Sequence, residues 1–128
     1  MSNIDWTKLI TKAMKDAALL AAQLAAATTE LNNRTRIGNA QALALNGRIA
    51  TLNWLIDEQD PEDPDYMEPT AEDIAERTAL KALLLKWNSY NAKLGKVKTQ
   101  ATWPSAPVWP VAPVLYVETP LASKTAVI

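Results

Sequence analysis

The stretch that decides the fold runs from Ile10 to Ile56, ITKAMKDAALLAAQLAAATTELNNRTRIGNAQALALNGRIATLNWLI. Its apolar and small residues recur at alternating spacings of four and three, the heptad seam of a helix that packs on another helix. The phase is unbroken through Ile10, Met14, Ala17, Ala21, Leu24, Thr28, Leu31, Thr35, Gly38, Ala42, Leu45, Ile49, Leu52 and Ile56. The pattern predicts a helical segment over residues 1–58, able to form a coiled coil.

Two arrangements are compatible with this seam. A continuous helix from Thr7 to Asp57 would extend about 75 Å, too long for a small monomeric domain, and it would need partners. The middle of the seam is weak, however, and the segment LNNRTRIGN contains residues that favour turns and caps. A break there would fold the segment into a helical hairpin, and the sequence leaves the two open.

An acidic linker is predicted over residues 59–69. Pro61 and Pro64 stop any helix there, because proline lacks an N–H and restricts the residue before it. Ten of the fourteen acidic residues lie between Asp57 and Glu76, but the ligand spacing and central glycine of an EF-hand are missing. We interpret the stretch as a solvated connector, with a docking strip for a basic partner as the alternative.

A second helix is predicted over residues 70–98. Thr70 can cap its first turn, and Glu72 and Asp73 suit the positive end of the helix dipole. One edge is apolar at three-four spacing, through Leu80, Leu83, Trp87, Tyr90, Leu94 and Val97. This helix must therefore pack on something, and we expect Trp87 and Tyr90 to serve its core.

The remaining residues, 99–128, are predicted to form an extended tail because they hold five of the eight prolines. The β-branched run Val114–Val117 allows a short strand. Two Trp-Pro pairs join large apolar rings to a restrained backbone that loses little entropy on docking. We therefore assign partner binding to Trp103, Pro104, Pro107, Trp109 and Pro110.

Composition excludes several classes of function. The 128 residues carry a net charge of −1 and include neither Cys nor His, which removes disulfides, thiolate chemistry and the commonest general base. A charge near zero also argues against nucleic acid and anionic lipid as partners. We expect a mainly α fold with no catalytic residue, no metal site and no cofactor, and no segment is apolar enough to span a membrane.

The region from Leu80 to Pro113, which begins LKALLLKWNSYNAKLGKVKTQATWPSAP, resembles the C-terminal region of bacteriophage tail-fibre assembly proteins. That family carries a Leu-rich helix with Trp-x-x-Tyr, then Leu and Val, then Trp-Pro and a further Pro. These positions are filled here by Trp87, Tyr90, Leu94, Val97, Trp103, Pro104 and Pro107. Two features depart from the pattern: Asn91 stands where many relatives have Arg, and the β-rich N-terminal module of longer relatives is absent.

The resemblance implies a chaperone that binds the C-terminal region of a tail fibre and assists its folding or trimerisation. In that interpretation Trp87, Tyr90, Leu94 and Val97 are structural. The implied partners are the fibre protein and further copies of this chain, in a homo-oligomer or trimer, and the implied location is the host cytoplasm during assembly. The alternative is a permanent virion component, a fibre or baseplate adaptor built on a helical oligomer and retained in the tail.

Overall fold

Two helices make up most of the protein. A computed structural model describes residues 6–118, in which α1 spans Trp6–Asn53 and widens into a π-helical turn at Trp54–Glu58. Helix α2 spans Ala71–Leu94 and is followed by a 3₁₀ turn at Val97–Thr99. No strand occurs among these residues, which confirms the mainly α prediction, and the short strand that Val114–Val117 would allow does not form. Residues 119–128 of the predicted tail lie outside the described part.

Helix α1 is continuous, so the hairpin alternative is wrong. The turn-favouring segment in its middle is helical, and two of its polar side chains bond within the helix. Arg34 Nε donates to Glu30 Oε1 at 2.6 Å, one turn back, and Arg36 donates to Asn33 Oδ1 at 2.8 Å. Gly38, in the same segment, is buried where α2 approaches most closely.

The two helices pack antiparallel. Near the start of α2, Glu76 accepts two hydrogen bonds from Arg48, at 2.7 and 2.9 Å, and near its end Asn91 Nδ2 donates to the Gly38 carbonyl at 3.2 Å. The C-terminal half of the heptad seam faces α2. The resulting core contains Leu31, Leu45, Ile49, Leu52, Leu80, Trp87, Tyr90, Leu94 and Val97.

The linker between the helices is folded by local hydrogen bonds. Two successive turns form because the carboxylates of Asp60 and Asp63 accept from backbone N–H groups two residues on, at 2.9 and 2.8 Å. At the start of α2, the Thr70 hydroxyl accepts from the backbone N–H of Asp73, whose carboxylate accepts in turn from that of Thr70. This capping box confirms the predicted helix start and satisfies two otherwise unpaired donors.

The N-terminal half of α1 projects away from the core. Residues 7–22 are all exposed, and the first buried side chain is that of Ala27. We call residues 7–26 the arm. Helix α2 thus supplies the packing partner that the long helix requires, but only for the half of α1 that follows the arm.

Candidate partner-binding surface

Trp87 connects the helix pair to the tail. Its side chain is completely buried, its ring meets that of Tyr90 edge-on with centroids 5.4 Å apart, and its Nε1 donates to the Val114 carbonyl at 3.1 Å. Leu94 and Val97 are buried beside it. The structure therefore places all four motif residues from the second helix in the chain's own core, where Trp87 also fixes the position of the tail.

Residues 100–110 form a closed loop, which we call the Trp-Pro loop. The Gln100 side chain spans it: its Nε2 donates to the Val108 carbonyl and its Oε1 accepts from the Val108 N–H, both at 2.7 Å. The peptide bond between Trp103 and Pro104 is cis. Inside the loop, the rings of Trp103 and Trp109 meet edge-on with centroids 6.4 Å apart, a favourable aromatic geometry.

The five residues assigned to partner binding all lie in this loop, and none of them is fully exposed. Both rings are half-buried against the chain's own core, and the three prolines are half-buried as well. Much of the apolar area of the two rings is therefore used within the chain. Their contact with a partner stays a prediction.

Arg34 of α1 fixes the outer edge of the loop. Its guanidinium lies over the Trp109 ring, 4.8 Å from the centroid, while its Nε bonds to Glu30. Partial burial opposes the charged form, but hydrogen bonds to Glu30 and Tyr90 outweigh it and raise the pKa of Arg34 above its ordinary value. The cation is therefore kept in place over the aromatic face, where it is attracted electrostatically.

Shallow clefts lie on two sides of the Trp-Pro loop. The cleft against α1 has a volume of about 260 Å³ and is lined by Gln23, Ala26, Ala27, Glu30, Pro104, Ser105, Pro107 and Trp109. The cleft against the end of α2 has a volume of about 400 Å³ and is lined by Lys93, Lys96, Thr99, Gln100, Val108, Trp109 and Pro110. The charge around the loop thus differs between its two sides: the carboxylate of Glu30 lies on one, and the ammonium groups of Lys93 and Lys96 lie on the other.

After the loop, the tail crosses the helix pair in an extended conformation. The Gln41 side chain holds it as Gln100 holds the loop: its Nε2 donates to the Tyr116 carbonyl at 3.2 Å, and its Oε1 accepts from the Tyr116 N–H at 2.6 Å. Partial burial raises the pKa of the Tyr116 phenol, and the charge of Glu118 adds to this effect. Gln41 and Gln100 each form two hydrogen bonds with the backbone of one tail residue, as a neighbouring strand would in a sheet.

The tail has a repeat of three residues that sorts its side chains into three rows, two of which have a uniform degree of burial. From residue 107 to residue 118 the sequence reads PVW-PVA-PVL-YVE. The first residue of each triplet is half-buried against the helices: Pro107, Pro110, Pro113 and Tyr116. The second is exposed, and we call this row the valine strip: Val108, Val111, Val114 and Val117. A period of three is that of a polyproline II backbone, on which every third residue lies along one edge.

Sequence reasoning assigned no role to the valine strip, although the signal was present as the spacing of Pro and Val. Partner binding was assigned to the Trp-Pro pairs instead, because they join the largest rings to the stiffest backbone. Which row of the tail faces outward depends on Gln41 and Trp87 fixing its rotation. Gln41 lies 75 residues before Tyr116 in the sequence, so the pattern of the tail alone does not indicate this contact.

We predict that Gln41→Ala releases the end of the tail. The variant loses both hydrogen bonds to Tyr116, each of which contributes roughly 1 kcal/mol net, so local opening of the tail should increase about fivefold or more. Limited proteolysis by chymotrypsin, followed at the bond after Tyr116, measures this opening. Asn46→Ala, at an exposed position on the same helix, is the control and should leave the cleavage rate unchanged. Equal cleavage of both variants would contradict the role given to Gln41.

In comparisons with known proteins, no family model, no curated protein and no solved structure matches this chain. Within residues 6–118, no helix is both long and apolar enough to cross a membrane. The same part of the chain contains no cluster of three acidic residues that could hold a metal ion. The candidate surface therefore rests on its own geometry, the Trp-Pro loop and the valine strip that continues it.

Proposed function

We propose that this protein is a chaperone of tail-fibre assembly, which binds the C-terminal region of a phage fibre and assists its folding or trimerisation. The observation that carries the proposal is the valine strip. It is a row of exposed apolar side chains on a segment that is anchored along its length by the chain's own core. The resemblance of residues 80–113 to fibre assembly proteins supplies the identity of the partner.

The strip has the physical properties of a binding edge. Val111 is 92% exposed, and its neighbours Val114 and Val117 are exposed nearly as much, so the tail leaves unused apolar area in a continuous row. Such a row marks an interaction site more often than scattered apolar residues do. At roughly 3.1 Å per residue, the segment from Val108 to Val117 that carries the strip extends over about 28 Å.

Anchoring of the tail favours binding. Gln100, Trp87 and Gln41 hold the backbone at Val108, Val114 and Tyr116, so the strip is already extended before a partner arrives. A pre-ordered segment loses less conformational entropy on binding than a flexible one. An unassembled fibre end exposes apolar surface and unpaired backbone, and covering these groups suppresses aggregation while trimers form.

Co-expression with the fibre tests the proposal. The triple variant Val111→Ser, Val114→Ser, Val117→Ser removes the apolar strip and leaves the residues that anchor the tail. We expect the yield of native fibre trimer to fall about tenfold or more, since each lost valine removes on the order of 1 kcal/mol of apolar contact. The readout is the amount of trimer that resists dissociation by detergent on a gel.

The matched control is the double variant Leu43→Ser, Leu85→Ser. These leucines lie on the helices and are exposed to a similar degree, 75% and 71%, but outside the tail. The control should support trimer formation like the natural sequence. A strip variant that yields as much trimer as the control would refute the assignment, provided that its helix content by circular dichroism equals that of the control.

A permanent place in the virion is the second candidate, and the projecting arm favours it. A helix that extends about 30 Å beyond its domain can connect the body to another component of a tail. The two candidates differ in whether the protein stays in the finished particle, and not in the kind of surface that binds the partner. Mass spectrometry of purified particles separates the two: a stoichiometric amount of this chain indicates a virion component, whereas assembly in the host cytoplasm followed by release predicts its absence.

A further inference from the structure

Within residues 6–118, the arm is a helix without a packing partner. Its apolar seam residues Ile10, Met14 and Leu24 are about half exposed or more, and the small residues between them, Ala17 and Ala21, are exposed as well. No charged residue occurs from Ala17 to Thr29. A solvated helix normally carries charged side chains on its outer face, so this composition is typical of a helix that is covered by another.

The seam of the arm continues an interface that already exists within the chain. Farther along the same heptad phase, Leu31, Leu45, Ile49 and Leu52 belong to the core that α1 shares with α2, which runs antiparallel to α1. Helix α2 ends at Leu94, beside the region of Leu31 and Gly38, and the Trp-Pro loop covers α1 beside Ala27. The seam on which α2 packs therefore continues along the arm, where no part of residues 6–118 covers it.

We propose that the arm binds the arm of a second copy of this chain in an antiparallel pair. The second arm takes the position that a longer α2 would have, and it runs in the same direction as α2. This inference does not depend on the proposed function, since it concerns the helix at the opposite end of the chain from the valine strip.

The direction follows from the position of α2. A second α1 that ran parallel to the first along this seam would continue past Leu24 into the space that α2 fills from Leu31 onward. The body of an antiparallel copy lies instead at the opposite end of the arm, away from α2.

The order of side chains along the seam suits such a pair. In antiparallel coiled coils, a positions face d positions, so Met14 of one copy faces Leu24 of the other, and Ala17 faces Ala21. Small residues then meet at the centre and allow the helices to approach closely, while larger ones interdigitate on both sides. Only an identical helix is certain to match this phase and this order, which is why the occupant is a second copy.

Sedimentation velocity of the full chain over a range of concentrations tests the pairing. We expect a dimer with twice the 14.0 kDa mass of the chain. Met14→Glu places a charge in the seam twice per dimer and should weaken the dimer about a hundredfold or more. Leu19→Glu is the matched control because Leu19 is exposed like Met14, 59% against 66%, but lies on the opposite face of the arm. This control should leave the dimer unchanged.

The natural chain lacks cysteine, so oxidation of single-cysteine variants tests the direction. A mixture of Met14→Cys and Leu24→Cys chains should form covalent dimers, and Leu24→Cys alone should not. The two Leu24 positions lie about 15 Å apart in the antiparallel pair, beyond the reach of a disulfide. Efficient dimerisation of Leu24→Cys alone would overturn the direction. A natural chain that sediments at 14.0 kDa at every concentration, or as a trimer, would overturn the pairing.

Discussion

Replacement of Trp87 by alanine is expected to lower the free energy of unfolding by about 3–5 kcal/mol. Trp87 is the largest side chain without any exposed surface, and it contacts both helices and the tail. Its loss leaves a cavity that a two-helix body cannot fill by moving one side chain. Because small domains have stabilities of roughly 5–15 kcal/mol, this single change removes a large part of the total.

Two further variants separate the causes of this effect. Trp87→Phe keeps an aromatic ring but loses the hydrogen bond to the Val114 carbonyl, and it should cost about 1–2 kcal/mol. Trp54→Ala removes a tryptophan that is 48% exposed and should cost about 1 kcal/mol or less. Urea unfolding followed by circular dichroism measures all three. If Trp87→Ala were no more destabilising than Trp54→Ala, the core described above would be wrong.

The second large effect is a difference in sign between two glycines on α1. Gly38→Ala is expected to destabilise the protein by about 1–3 kcal/mol, because the added methyl group would overlap Asn91 Oδ1. The Asn91 amide has little freedom to move away. Its Nδ2 donates to the Gly38 carbonyl, and its Oδ1 is buried without a hydrogen-bond partner within the described residues.

Gly47→Ala should act in the opposite direction. No atom lies within 4 Å of the position of its added methyl group, so only the helix propensity changes, which favours alanine by about 0.5–1 kcal/mol. Thermal unfolding of the two variants beside the natural sequence measures both signs in one experiment. A stabilising Gly38→Ala would show that α1 and α2 do not approach each other at this point.

Gly38 also shows why the course of α1 was only partly predictable from the sequence. The heptad seam correctly indicated a helix up to Ile56, and Leu45, Ile49 and Leu52 became core residues as their spacing requires. The same sequence contained turn signals around Gly38, and local rules alone could not decide between them. The packing of α2 favours the continuous helix, because Gly38 leaves space for the Asn91 side chain to reach the backbone of α1.

The tail shows a different limit. Its extended conformation follows from its prolines, but the row that faces outward is set by contacts with residues far away in the chain. Gln41 was an ordinary polar position in the heptad pattern, and nothing in its neighbourhood indicated a bond to Tyr116. For this reason the aromatic rings, which are the most noticeable residues of the tail, received the binding role that the geometry supports better for the valines.

Site-specific photo-crosslinking between this chain and the fibre tests the central claim most directly. A photoreactive residue is placed at Val111 or Val114 in the strip, and at Leu43 or Leu85 outside it, during co-expression with the fibre. The account predicts crosslinks to the C-terminal region of the fibre from the two strip positions and background levels from the two helix positions. Strong crosslinks from Leu43 or Leu85, with none from the strip, would contradict it.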